Sequence, residues 1–139
     1  MPSLKERILD VVKGPTLSGL ATTTDGKPWV RYVITEASDD LTFRLPSFTS
    51  ARKIAQIESN PEVHLTCGIP DRTVMGPYLQ IQGRAEFTTD REARHSFWSD
   101  RLGALFDGPD DPSYGIIIIQ AYRIEYCHVG LESEVWEGD

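Results

Sequence analysis

Apolar and polar positions alternate with a period of two along most of this chain, and the alternation breaks at turn residues, the pattern of half-buried β-strands. Leu17 to Thr24 and Pro28 to Thr35 are rich in β-formers, and Asp25-Gly26 between them is a hairpin-turn dipeptide, so they predict an antiparallel hairpin. After a turn at Ser38-Asp39-Asp40, Leu41, Phe43 and Leu45 alternate with Thr42 and Arg44, predicting a third strand that Pro46 closes. Val63, Leu65 and Cys67 mark a strand over 62–68, and Leu79, Ile81, Ala85 and Phe87 another over 78–87. The stretch 115–126, with four isoleucines from Ile116 to Ile119, reads as a sixth long strand buried on both faces.

Helical spacing replaces the alternation in three places. Leu4, Ile8, Leu9 and Val12 predict a short helix over 3–13, stopped by Gly14-Pro15. Thr49 or Ser50 can cap a second helix that runs to Ser59, turns Ile54 and Ile57 inward and ends at Asn60-Pro61. Thr89-Asp90-Arg91-Glu92 fits a capping box for a third, with Ala93, Phe97, Trp98, Leu102 and Leu105 on its apolar face. Six or seven strands interrupted by short helices, without regular βαβ alternation, predict a mainly β fold, an antiparallel barrel of six to seven strands with Greek-key connections.

With 139 residues the chain is expected to form one domain, 1–139. No apolar run approaches the roughly 20 residues of a membrane helix, so no membrane partner is expected. The opening Met-Pro-Ser-Leu-Lys-Glu-Arg mixes charge signs and lacks a secretory pattern, which leads to the expectation of a cytoplasmic protein. In that compartment Cys67 and Cys127 read as small buried hydrophobes rather than a disulfide. Acidic residues outnumber Lys and Arg by 21 to 14, for a formal charge of −7, which disfavours a nucleic-acid partner. Any anion held here must meet a local basic cluster.

Such a cluster exists between Trp29 and Lys53, where Arg31, Arg44, Arg52 and Lys53 accompany Ser47, Thr49 and Ser50. A hydroxyl-bearing turn leading into a helix N-terminus, with Arg and Lys beside it, suits a phosphate monoester; the same residues also describe an ordinary capped helix with solvated charges. His64, His95 and His128 are far apart, and with the two cysteines they show no paired ligand spacing, so no metal site is expected. Cys127 and His128 face opposite sides of a strand, which argues against a thiolate–imidazole couple. Trp98 and Trp136 read first as core or interface anchors, and Trp136, in the acidic tail 132–139, as an indole that needs a partner surface.

The segment Leu20-Ala-Thr-Thr-Thr-Asp-Gly-Lys-Pro-Trp-Val-Arg-Tyr-Val33, then Ser47 and Lys53, then Ile57-Glu-Ser-Asn-Pro-Glu-Val-His-Leu65 resembles the FMN-binding split barrels of the pyridoxamine 5'-phosphate oxidase-like family. Ile81-Gln-Gly-Arg-Ala-Glu86, Trp98 and Gly108-Pro-Asp-Asp-Pro112 are similar to its bacterial general stress protein subgroup. The resemblance implies an FMN cofactor whose phosphate Arg31 and Lys53 grip, with Arg52 assisting, Ser47 standing where Thr is usual and Thr49 and Ser50 in the adjoining turn. It implies that the backbone at Tyr32 and Val33 borders the isoalloxazine and that the cofactor lies between two subunits of a homodimer, so that the partner surface an exposed Trp136 needs is the flavin edge or the other subunit. Ala51 departs from the family's usual Ser, and Cys127 stands where the subgroup often has Trp. The implied function is FMN-dependent oxidoreduction of a small molecule with a separate electron donor. A non-catalytic flavin-binding stress module, or the same barrel holding haem or a deazaflavin, are the alternatives. Pyridoxamine 5'-phosphate itself is not the expected substrate, because no Lys or Arg follows Arg123, where the true oxidases supply Arg and His.

Overall fold

The computed structural model describes residues 1–73 and 75–138; Asp139, at the end of the acidic tail, lies outside the described residues. Asp25 and Gly26 hold φ values of 53° and 74°, the paired left-handed geometry of a two-residue hairpin turn. Strands β1 (Thr16–Thr24) and β2 (Lys27–Ala37) consequently pair antiparallel from Thr24↔Lys27 to Thr16↔Thr35. Strands β3 (Thr42–Phe48), β4 (Glu62–Cys67), β5 (Tyr78–Thr88) and β6 (Tyr114–Cys127) complete a ring. Around it, β1 pairs with β2 and β4, β2 with β3, β3 with β6, and β6 with β5, which returns to β4. The fold is therefore mainly β, a closed six-stranded antiparallel barrel.

Its interior is filled by inward positions of every strand, among them Leu20, Phe43, Leu65, Ile81, Ile117 and Ile119, each 1% exposed or less. A fully buried side chain of this kind contributes roughly 1.5–3 kcal/mol. Helix α1 (Leu4–Val11) starts in a capping box of Ser3 and Glu6 and packs Ile8 into this core. Helix α2 (Arg52–Ser59) lies against β1 and β5 and adds Ile54 and Ile57. Gly115 on β6 is required by crowding, since a Cβ there would stand 2.3 Å from Phe87 Cζ. Cys67 and Cys127 are both free and buried.

Four sequence expectations need correction. Pro46 does not end β3, which continues through Phe48 opposite Gly115 and Tyr114; β2 pairs with β3 only at Glu36 and Ala37, so beyond Arg44 that edge is unpaired and an imide nitrogen costs no ladder bond. Neither Thr49 nor Ser50 caps α2, because Phe48 O accepts from Ala51 N in a turn that makes Ala51, with no capping side chain, the N-cap. The third helix is shorter than its apolar spacing: α3 (Arg91–Phe97) is capped by Asp90, not Thr89, and the chain extends at Trp98 and Ser99 before a 3₁₀ turn at Asp100–Ala104. That break lets Trp98 meet the Tyr114 ring edge-on at 5.5 Å while Leu102 and Phe106 bury beside Tyr114 and Ile116. Finally, the tail forms a strand, β7 (Glu134–Glu137), on β6 at Arg123 to Tyr126. It seats Trp136, half-buried, against the core opposite Ile124 instead of leaving the indole exposed.

Candidate functional site

Arg31 stands opposite Leu20 on the inward face of β2, near the mouth of the barrel beside α2. Its Nη1 donates to Thr22 Oγ1 at 2.8 Å, to Leu20 O at 3.1 Å and to Trp29 O at 3.3 Å, and its Nη2 donates to Gln56 Oε1 at 2.8 Å. Thr22 Oγ1 in turn donates to Gln56 Oε1 at 2.6 Å. Every one of these acceptors is neutral. Arg52, on the first turn of α2, lies over the Trp29 ring at 4.5 Å to its centroid, a cation–π contact. Lys53 follows it in the same turn.

Arg31 lies close enough to Arg52 to feel its charge, and Lys53 close enough to feel that of Arg31. Burial, then the Arg52 charge, pulls the Arg31 guanidinium below its ordinary value. Burial, then the Arg31 charge, does the same to the Lys53 ammonium. Among the described residues no carboxylate forms an ion pair with Arg31, Arg52 or Lys53, whereas Arg7, Arg84, Arg101 and Arg123 each have one. In a chain of charge −7, such a trio concentrates positive charge that nothing nearby offsets, the electrostatics that an anion would find favourable. Arg52 and Lys53 open α2, whose start no side chain caps, although Ala51 O already accepts from the Ile54 amide.

A cleft of about 300 Å³ leads away from Lys53. Its lining is contributed by Tyr32, Val33 and Ile34 of β2, Ser47 and Phe48 of β3, and Arg101, Leu102, Leu105 and Phe106 of the segment around the 3₁₀ turn. The rings of Phe48 and Phe106 lie 4.8 Å apart, and Arg101 Nη2 reaches Glu36 Oε2 at 2.9 Å. The cleft opens where β2 and β3 part. On the outer face of β2 a second hollow, about 500 Å³, runs between Leu17, Val30, Tyr32, Ile69 and Tyr78. Val30 and Tyr32 are 74% and 83% exposed, an uncovered apolar strip.

The expected site residues are thus distributed unevenly. Arg31, Arg52 and Lys53 come together; Tyr32, Val33 and Ser47 share the cleft with Lys53. Ser47 Oγ donates to its neighbour's carbonyl, Phe48 O, at 3.0 Å. Thr49 and Ser50 shape the turn before α2. Arg44 belongs elsewhere, bonded to Ser38 Oγ and near Asp40. Trp136 sits on β7, which contacts α1 and β6, so one chain does not bring it to the cations. Thr22, Gln56, Phe48 and the Glu36–Arg101 pair escaped the sequence reading. Gln56 alone carried a signal, a polar side chain one turn after Arg52 on a helix with a narrow apolar face. Among the described residues no three His, Cys, Asp or Glu side chains gather as a metal site, and no helix is long and apolar enough to cross a membrane.

Comparison with known proteins adds to this geometry. The sequence profile described as Pyridoxamine 5'-phosphate oxidase matches residues 4–128. General stress protein 26 of Bacillus subtilis (strain 168) is 33% identical over 132 residues, covering 95% of this chain and 94% of that protein. The crystal structure of General Stress Protein 26 from Bacillus anthracis str. Sterne superposes with a TM-score of 0.82 at 27% identity, over 96% of this chain and 98% of the other. A heme binding protein from Mycobacterium smegmatis shares the fold at a TM-score of 0.78 and 17% identity, over 99% of this chain and 59% of its own.

Proposed function

Because the chain belongs to the pyridoxamine 5'-phosphate oxidase family, we propose that it binds FMN at the Arg31–Arg52–Lys53 cluster and acts as a homodimeric flavin oxidoreductase of the general stress protein type on a small molecule. The observation that carries this reading is a trio of cations that, among the described residues, has no carboxylate ion-paired to it, with Lys53 of the trio lining an apolar cleft. A phosphate dianion is the partner such a trio lacks, and a mainly apolar lining suits a planar ring system. Arg52 and Lys53 hold the phosphate from the first turn of α2, and Arg31 adds its charge from the barrel mouth. The β2 backbone at Tyr32 and Val33 borders the ring, whose far side faces Phe48 and Phe106. When bound, FMN supplies hydride and single-electron transfer through its isoalloxazine. The protein's part is to bind, orient and exclude water.

Homodimerisation is supported by the uncovered strip of Val30, Tyr32 and Leu17 on the outer face of β1 and β2, which a second copy would bury. Pyridoxamine 5'-phosphate is not the substrate in this reading, since a second phosphate needs a second unpaired basic cluster and the segment after Arg123 holds no Lys or Arg. The test is the visible spectrum of the purified protein, followed by fluorescence titrations of the apoprotein with FMN and with riboflavin. Flavin bands and a preference for FMN are expected; a Soret band, or equal affinity for the two flavins, would overturn the assignment. Turnover of bound flavin by a reduced nicotinamide then separates an enzyme from an inert flavin-binding module.

A further inference from the structure

Among the described residues the Arg31 network has no anionic member, although the chain is rich in carboxylates. Thr22 and Gln56 are 1% and 6% exposed, so neither acceptor is there by contact with water. Their bonds form a closed triangle: Arg31 donates to both, and Thr22 donates to Gln56. Gln56 Oε1 therefore accepts twice, which turns its oxygen toward the guanidinium. The flanking acceptors, Leu20 O and Trp29 O, are backbone carbonyls. Four other arginines are held by acids: Arg101 by Glu36, Arg123 by Glu125, Arg7 by Glu134, Arg84 by Glu62. A carboxylate within 3 Å of a guanidinium would cancel most of the charge that a ligand at the same site could feel, whereas a neutral acceptor fixes the orientation and leaves the charge intact.

We propose that Gln56 and Thr22 are positioning residues for phosphate recognition, holding Arg31 in the barrel mouth by neutral acceptors so that its charge stays uncompensated until a phosphate arrives. The inference rests on the phosphate reading above and specifies how the site keeps its affinity. Gln56 is its specificity-determining position, because Glu has the same shape and would accept the same two donors. Substitution there changes the charge and not the geometry.

The test uses Gln56→Glu, with apoprotein titrated by FMN and by riboflavin and its thermal midpoint recorded. Expected are an affinity for FMN reduced by about ten- to a hundredfold, the worth of one charged contact, riboflavin affinity unchanged, and an apoprotein midpoint at or above that of the wild type. A residue with a merely structural role would move both flavins together and lower the midpoint. A wild-type protein that does not prefer FMN overturns the phosphate reading itself. A wild type that prefers FMN beside a Gln56→Glu protein that keeps the same preference overturns the role of Gln56 and leaves that reading standing. Should circular dichroism show that Gln56→Glu does not fold, Thr22→Val removes one acceptor and adds no charge. It is expected to weaken FMN alone by about three- to tenfold, and no FMN-specific loss would overturn the proposal.

Discussion

Replacing Lys53 with Met should weaken FMN binding without harming the fold. The side chain keeps nearly its length and its apolar stem, and loses only the ammonium. Among the described residues Lys53 has no ion-pair partner, and what its charge meets in the free protein is burial and Arg31, both of which oppose it. Removing that charge therefore costs the apoprotein nothing and relieves a repulsion, so its stability should stay within about 0.5 kcal/mol of the wild type or rise slightly. In the complex the ammonium has a partner. A hydrogen bond between charged groups contributes about 1.5–3 kcal/mol, and partial exposure of Lys53 puts it at the lower end, or about a tenfold loss of FMN affinity. Riboflavin, which lacks the phosphate, should bind as before. Urea denaturation of the apoprotein and paired fluorescence titrations measure both quantities. An equal loss of both flavins, or an apoprotein destabilised by more than about 1 kcal/mol, would refute the reasoning and return Lys53 to the helix surface.

Three further outcomes follow from the same geometry. Burial, then Arg31, lowers the pKa of Lys53 from 10.5, so as the pH rises through that lowered value the ammonium is lost and the advantage of FMN over riboflavin should shrink; Lys53→Arg should hold the advantage to higher pH, and a flat wild-type profile would contradict this. Gly115→Ala forces a methyl to 2.3 Å from Phe87 Cζ and should cost about 1–3 kcal/mol in urea at unchanged m-value, while Gly108→Ala, with open space at its Cβ, should stay within about 0.5 kcal/mol. The wild type should sediment at about twice 15.6 kDa and Val30→Glu on the exposed strip as a monomer; a wild-type monomer with FMN present would remove the dimer from the mechanism.

What could be read from the chain depended on how local its cause is. The Asp25-Gly26 hairpin was legible because two adjacent residues determine it, and so was the alternation that fills the barrel. Pro46 misled, since its effect depends on whether β2 still runs beside it, a fact set by the Glu36↔Arg44 register. The third helix was overextended because Trp98 and Leu102 fit its apolar face, yet both are held by Tyr114 and its neighbours on a distant strand. β7 was missed because four acidic and apolar residues gain strand character only by lying against β6. The cations showed the same division: Arg31, Arg52 and Lys53 stood out by charge only together with Arg44, which the fold takes to Ser38. Gln56 did not, because its meaning lies in a bond to a side chain 25 residues away.

The ring of strands closes where β3 meets β6, a pairing whose members, such as Thr42 and Gln120, are 78 residues apart. The cations and their acceptors all belong to 20–56 and are joined by the β1–β2 hairpin and the helix packed on it, whereas the cleft is completed by Arg101, Leu102, Leu105 and Phe106. Closing so long a loop is the entropically slow step in folding such a chain. The charged half of the site can therefore assemble as a local unit, while the cleft is complete only when 101–106 joins it. A ligand that needs both halves recognises the sealed barrel alone, so it stabilises the finished fold by slowing its opening and has little purchase on how fast it forms.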